Sequence, residues 1–372
     1  MKTIQEAGDV KGKYVLVRAG LNVPIEKGHV RDTFRLRMML PTLTYLHSKG
    51  ARIIVISHLG RSDEDTLAPV VPYLSEHLPL TFVRAIEGSE VETARNAMQD
   101  GDVLLLENLR AGGDREENND PEFAQLLASY ADIYVNDAFD VSHRAHASIV
   151  GVPALLPSYA GLQFVSEVEH LSQAFNPEHP FVVVLGGAKF ATKLPVIERF
   201  LDTADHIFVG GALANDFFVA QGLSVGESDV SENIDMALKL KDNNKIITPI
   251  DVVVRRGEES VVCDPDEVQE NDYIMDAGPD TVNKIQSLVG NAGFVLWNGP
   301  LGFYEKGYTE GTMGVARMLA ESNAETVVGG GDTLAAIAEL DRYDDYDFVS
   351  TGGGAMLEFL SNGTLPGIEA LR

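Results

Sequence analysis

Phe181-Val182-Val183-Val184-Leu185-Gly186-Gly187-Ala188-Lys189-Phe190-Ala191-Thr192-Lys193 is an unbroken apolar run, then a diglycine, then two lysines four residues apart. A short continuous apolar run suits a strand buried on both faces of a parallel sheet. Glycines at its end let backbone N–H groups approach an anion where the next helix begins. Lys189 and Lys193 share a face of that helix, and two cations without acidic partners repel each other until an anion joins them. A lone diglycine is more often a tight turn and surface lysines are more often solvated, so the stretch gains its weight from what recurs around it.

The same grammar repeats along the chain. Tyr14 to Val17, Ile53 to Ile56, Val103 to Leu106, Ile133 to Val135, Ile207 to Val209, Phe294 to Trp297 and Thr326 to Val328 read as further buried strands. Helical spacing lies between them: Leu36, Met39, Leu40, Leu43 and Leu46 form one face, and Val196, Ile197, Phe200 and Leu201 another. Strands alternating with helices predict an α/β protein with parallel sheets. A length of 372 residues favours two sheets over one. Residues 162 to 175 carry an apolar helical pattern that Asn176-Pro177-Glu178-His179-Pro180 stops, which predicts a connecting helix and a linker.

In open parallel sheets ligands bind beyond the carboxyl ends of the strands. In the first half those ends read Ser57-His58-Leu59-Gly60-Arg61, Glu107-Asn108-Leu109-Arg110 and Asn136-Asp137, rich in Arg and His. In the second half they read Gly186-Gly187-Ala188-Lys189, Gly210-Gly211, Asn298-Gly299-Pro300 and Gly329-Gly330-Gly331-Asp332-Thr333. Arginines suit an anion with several oxygens, whereas glycine turns suit phosphates. Asp332 reads equally as a Mg²⁺ ligand or a helix cap, and Thr333 as a cap or a phosphate contact. The His143/His146 pair has arginine for company rather than thiolates or carboxylates, which argues against zinc. Neither a P-loop nor a dinucleotide fingerprint occurs in a strand-to-helix context, which sets aside common P-loop ATPases and a two-lobed NAD dehydrogenase.

Composition narrows the function classes. The net charge of −27 argues against nucleic acid. Residues 1–178 carry 16 basic and 25 acidic side chains, the remainder 13 and 31, so the first half is the arginine-rich one. No apolar run approaches the roughly 20 residues of a membrane helix. Met1 to Tyr14 lacks the apolar core of a signal peptide. The single Cys263 fits a reducing compartment, and the expected location is the cytoplasm.

The ordered motif set resembles one family, phosphoglycerate kinase, from Tyr14 to Ala370. Besides the strand ends above it includes Asn22-Val23-Pro24, Arg35 to Pro41, His143-Arg144-Ala145-His146, Ser350-Thr351-Gly352-Gly353-Gly354 and Leu365-Pro366-Gly367. The resemblance implies two Rossmann-like lobes, each a parallel sheet flanked by helices, joined by a hinge helix. Residues 1–160 would bind 3-phosphoglycerate or 1,3-bisphosphoglycerate, 161–180 form the hinge, 181–355 bind Mg-ATP or Mg-ADP, and 356–372 return to the first lobe. Substrate contacts would come from the region of Gly20, Leu21, Asn22, Arg35, His58, Leu59, Gly60, Arg61, Arg110 and Arg144. Nucleotide contacts would come from Lys189, Lys193, Gly210, Gly211, Asn298, Glu305, Gly330, Gly331, Asp332 and Thr333, with Asp332 on the metal and Arg35, Lys189 and Lys193 catalytic. A monomer is implied.

Some residues depart from the family pattern. Gly20 stands where the family usually has a substrate-contacting aspartate, Leu21 and Ala111 replace phenylalanines, and Ser62 replaces a proline. Gly20 raises an alternative, a catalytically weakened nucleotide-binding relative, which predicts that Gly20→Asp raises activity.

Overall fold

The computed structural model describes residues 1–60, 62, 65–188 and 190–372. The chain forms two units, Met1–Glu169 with Thr364–Arg372, and His170–Gly363. In the first unit the strands are β1 (Tyr14–Arg18), β2 (Ile25–Glu26), β3 (His29–Val30), β4 (Arg52–Ile56), β5 (Leu80–Phe82), β6 (Val103–Leu105), β7 (Ile133–Asn136) and β8 (Ser158–Ala160). Six form a parallel sheet in the order β5-β6-β4-β1-β7-β8, and β2 and β3 pair as a small antiparallel ribbon. β1 lies at the centre because Val15, Leu16 and Val17 are fully buried. The helix Phe34–Ser48 lays Leu36, Met39, Leu43 and Leu46 against this core, each side chain contributing about 1.5–3 kcal/mol by burial.

The second unit adds β9 (Phe181–Leu185), β10 (His206–Val209), β11 (Ile246–Ile247), β12 (Val252–Arg256), β13 (Glu259–Cys263), β14 (Tyr273–Ala277), β15 (Phe294–Asn298), β16 (Glu325–Gly329) and β17 (Phe348–Val349). Its parallel sheet runs β11-β10-β9-β15-β16-β17. Phe181, Phe200 and Phe294 meet edge-on at its start, with centroids 5.4–5.5 Å apart. A second, antiparallel sheet β13-β12-β14 has no counterpart in the sequence reading. Its cue is the Arg256-Gly257-Glu258-Glu259 turn, where Gly257 has φ +64°. Cys263 belongs to the small core of this sheet, with Val252, Val254 and Phe218.

The helix Leu162–Gln173 contains the junction between Glu169 and His170. Its first turn is tied to the first unit: Leu162 N donates to Thr42 Oγ1 at 2.8 Å and Phe164 N to Asp137 Oδ1 at 2.9 Å. Beyond the junction, His170 stacks on Phe348 within the second unit at 4.3 Å. The returning segment begins at Thr364, later than 356, because the helix Gly353–Asn362 packs within the second unit. Gly367 N then donates to the Ser142 carbonyl at 2.9 Å, docking the Leu365-Pro366-Gly367 turn on the loop after β7.

Candidate active site

Arg18 ends β1 and is fully buried. A buried guanidinium must place its donors on acceptors. Nε donates to Ser148 Oγ at 3.0 Å, Nη1 to the Ala19 carbonyl at 2.6 Å, and Nη2 to His58 Nδ1 at 2.8 Å. Because the guanidinium has no acceptor, Nδ1 of His58 must accept and its proton sits on Nε2. Burial, and then Arg18, hold the His58 pKa well below the usual imidazole value, so the ring is neutral. Ser148 extends the chain to buried Glu116, with Oγ donating to Oε1 at 2.5 Å and the backbone N to Oε2 at 3.0 Å. Burial raises the pKa of Glu116, opposed by the Arg18 charge. His146 lies 3.8 Å from Glu116 and is pushed down to about 4, chiefly by burial and then by Arg18 and Arg144. The histidines are therefore neutral, and the positive charge rests on arginines.

Around this buried frame the strand-end loops hold one another. Asn22 Oδ1 accepts from Gly60 N at 3.0 Å, Arg35 donates to the Asn22 carbonyl, and Arg110 donates to the Gly60 carbonyl. Arg110 also pairs with Glu117 at 2.7 Å. Asn108 pins the β4 loop, accepting from Leu59 N at 3.2 Å and donating to the Leu59 carbonyl at 2.8 Å. Arg144 is exposed on the loop after β7 beside His143, and its charge and that of Arg110 both reach His58. Asn22, Arg35, His58, Gly60, Arg110 and Arg144 thus gather at one end of the sheet, and Arg61 lies outside the described residues.

Two of the expected contact residues have only backbone to offer at the strand ends. Leu21 and Leu59 turn their side chains into the apolar cluster under the sheet, at 0% and 6% exposure, because each is an apolar residue flanked by loop backbone that already holds the polar partners. The space beside Gly20 is also filled. A Cβ there would stand 2.9 Å from Oδ1 of Asp140, closer than such contacts occur without movement. Arg18, Ser148 and Glu116 escaped the sequence reading. The available signal was the arginine closing the otherwise apolar run Tyr14–Val17.

In the second unit β9 and β15 register Leu185 opposite Asn298, at the point where strand order reverses. Gly186 N donates to the Asn298 carbonyl at 3.0 Å and Gly187 N to the Pro300 carbonyl at 2.7 Å. A Cβ on Gly186 would lie 2.1 Å from the Pro300 oxygen, so only glycine permits this approach. Nζ of the buried Lys193 hangs over the turn, 3.4 Å from where a Cβ of Gly187 would be. Lys189 lies outside the described residues. Gly210 continues β10, its N bonded to the Leu185 carbonyl at 2.8 Å, and Gly211 precedes the helix Ala212–Ala220.

Gly330, at φ +115°, turns the chain from β16 straight into the helix Gly331–Leu340. Neither Asp332 nor Thr333 caps that helix, since both lie inside its first turn. Thr333 Oγ1 instead accepts from Gly299 N at 2.9 Å, joining the glycine loop after β15 to the one after β16. Asn298 is buried beside them, with Nδ2 3.6 Å from Met356 Sδ. Burial raises the Asp332 pKa; the Glu305 charge adds to this and Lys193 opposes it. Asp332, exposed Glu305 and Lys193 therefore share one electrostatic neighbourhood. Hard carboxylate oxygen beside the glycine turns suits Mg²⁺, which takes one or two carboxylates and otherwise phosphate and water oxygens.

The phosphoglycerate kinase family model matches residues 4–363. The chain is 43% identical to a phosphoglycerate kinase of Pelotomaculum thermopropionicum, covering all of this chain and 98% of that protein. It is 42% identical to one of Lacticaseibacillus casei, covering 98% and 97%. Among solved structures, phosphoglycerate kinase from Pyrococcus horikoshii is similar at a TM-score of 0.89 with 30% identity, covering 100% of this chain and 98% of that one. The enzyme from Coxiella burnetii is similar at 0.82 with 37% identity, covering 99% and 98%. With matches of this length and identity joined to two parallel sheets and the motifs at their strand ends, the chain belongs to the phosphoglycerate kinase family.

Proposed function

We propose that the chain transfers a phosphoryl group reversibly between 1,3-bisphosphoglycerate and ADP, giving 3-phosphoglycerate and ATP. The observation that carries this reading is the division of chemistry between the two sheets. One strand-end cluster offers Arg35, Arg110 and Arg144 around a neutral His58, and the other a glycine cradle with Lys193 and Asp332. The arginine cluster suits the carboxylate and phosphate of phosphoglycerate, with Asn22, His58, Gly60 and Arg61 completing it. The cradle of Gly210, Gly211, Asn298, Gly330, Gly331 and Thr333 suits the nucleotide, with Glu305 toward its ribose.

The attacking group in either direction is a phosphate or carboxylate oxygen that is already anionic, so the reaction needs no general base. Positioning and charge neutralisation remain. Arg35, Lys189 and Lys193 take up the charge of the transferred group. Asp332 would hold Mg²⁺, which when bound offsets the negative charge of the nucleotide phosphates. Since each unit would bind one substrate, the reaction also requires closure about residues 161–180, which keeps water from the acyl phosphate. Glycolytic or gluconeogenic work as a cytoplasmic monomer completes the reading; no helix of the described residues is long and apolar enough to cross a membrane.

A coupled assay of ADP-dependent turnover of 1,3-bisphosphoglycerate tests the proposal. Absence of turnover by folded protein at millimolar substrate overturns it. No observation favours the weakened relative.

A further inference from the structure

Gly20 and Asp140 share one space. Strands β1 and β7 are neighbours in the sheet, and the loops that leave them bring the Asp140 carboxylate to where a side chain of residue 20 would begin. The Asp140 loop is rigidly held. Asn136 Nδ2 donates to Ser142 Oγ at 3.0 Å, Ala138 N to Asn136 Oδ1 at 3.0 Å, and Ser142 Oγ to the Ala138 carbonyl at 2.8 Å. Phe139 and Val141, on either side of Asp140, are buried, and the Gly367 turn braces Ser142 from outside. On the far side, Gly20 N rests on Met39 Sδ at 3.2 Å.

Among the described residues, Oδ1 of Asp140 is buried without a hydrogen-bond partner. A buried carboxylate oxygen left unpaired is costly, and at a ligand site it points to a donor that arrives with the ligand. The arginines at this strand end take the anionic groups of the ligand. Asp140 and Arg144 both act on His143, so a carboxylate here would repel those anionic groups and must face a hydrogen-bond donor. Phosphoglycerate has one such donor, the hydroxyl between its carboxylate and its phosphate.

We propose that Asp140 is a specificity residue that accepts the hydroxyl of phosphoglycerate, supplying from β7 the carboxylate that position 20 lacks. The inference rests on the phosphoglycerate reading above. It also reverses the expectation for Gly20→Asp, because that variant forces two carboxylates into one space.

The test compares 3-phosphoglycerate with its deoxy analogue, 3-phosphonooxypropanoate, as substrates of the full chain with ATP. The wild type is expected to favour the hydroxylated compound in kcat/KM by about 10- to 100-fold, the range of a hydrogen bond to a charged group. Asp140→Ala should bring that ratio close to one by losing activity on 3-phosphoglycerate alone, with KM for ATP unchanged. Asp140→Asn, which keeps the shape, should also lower the ratio, so a folding failure of the alanine variant leaves the question decidable. Gly20→Asp alone should reduce activity on 3-phosphoglycerate, and Gly20→Asp with Asp140→Gly should restore it. A ratio preserved in both Asp140 variants, or a gain from Gly20→Asp alone, overturns the role of Asp140 while leaving the kinase reading intact. No wild-type turnover of 3-phosphoglycerate defeats the kinase reading itself, and this inference with it.

Discussion

Replacing Arg18 with methionine keeps a long side chain in the sheet and removes the cation on which the first site is framed. Arg18 is fully buried and serves Ala19, Ser148 and His58 at once. Its loss leaves the His58 Nδ1 acceptor without its donor and strips buried Glu116 of a compensating charge. Removing one partner of a buried charge network typically costs about 3–5 kcal/mol. For a unit of this size each kcal/mol lowers the melting temperature by about 2–4 °C, so calorimetry should find a fall of roughly 6–20 °C in the first unit. The His58 pKa should rise toward the usual value, readable by NMR, because Arg18 is the largest charge now depressing it. Glu116→Gln in the same chain should recover part of the loss, since the uncharged amide no longer needs the guanidinium. A loss below about 1 kcal/mol, or strict additivity of the two substitutions, would refute a coupled network.

Thr333→Val keeps the volume and removes the acceptor of Gly299 N, so thermal unfolding should show a loss of about 1–3 kcal/mol, with weaker ATP binding by calorimetry. Asp332→Asn should lower kcat about 100-fold and raise the Mg²⁺ concentration for half-maximal rate, with KM for 3-phosphoglycerate unchanged in steady-state assays. The His146 ring, with a folded pKa of about 4, stays neutral in the folded chain where the unfolded chain takes up a proton. Its contribution is complete above the ordinary histidine pKa near 6.5 and is lost as pH falls from there through 4. Urea unfolding of His146→Gln should therefore lose less stability than the wild type over that interval, and parallel curves would contradict the assignment.

Uniform apolar runs were legible as strands because burial on both faces leaves no alternation to misread. The strands at the sheet edges were not: Leu80–Phe82 and Ile246–Ile247 are short and partly exposed, and only their neighbours make them strands. The antiparallel sheet β13-β12-β14 was missed for a related reason, since its exposed residues interrupt the apolar pattern. At the site, the glycine turns and the arginines were readable because their chemistry is local to each strand end. Adjacency to a motif did not reveal that the side chains of Leu21 and Leu59 turn into the core, because spacing along the chain says nothing about which way a side chain points.

The sequence by itself determined the family, the two parallel sheets and the opposition between an arginine-rich and a glycine-rich set of strand ends, since strand periodicity and motif order are properties of consecutive residues. Only the tertiary structure decided that Arg18 and Glu116 frame the first site, that Thr333 ties two glycine loops together, and that Asp140 fills the space beside Gly20. Each of these joins residues from different strands, and parallel pairing across a sheet sets such distances in a way that no spacing along the chain records.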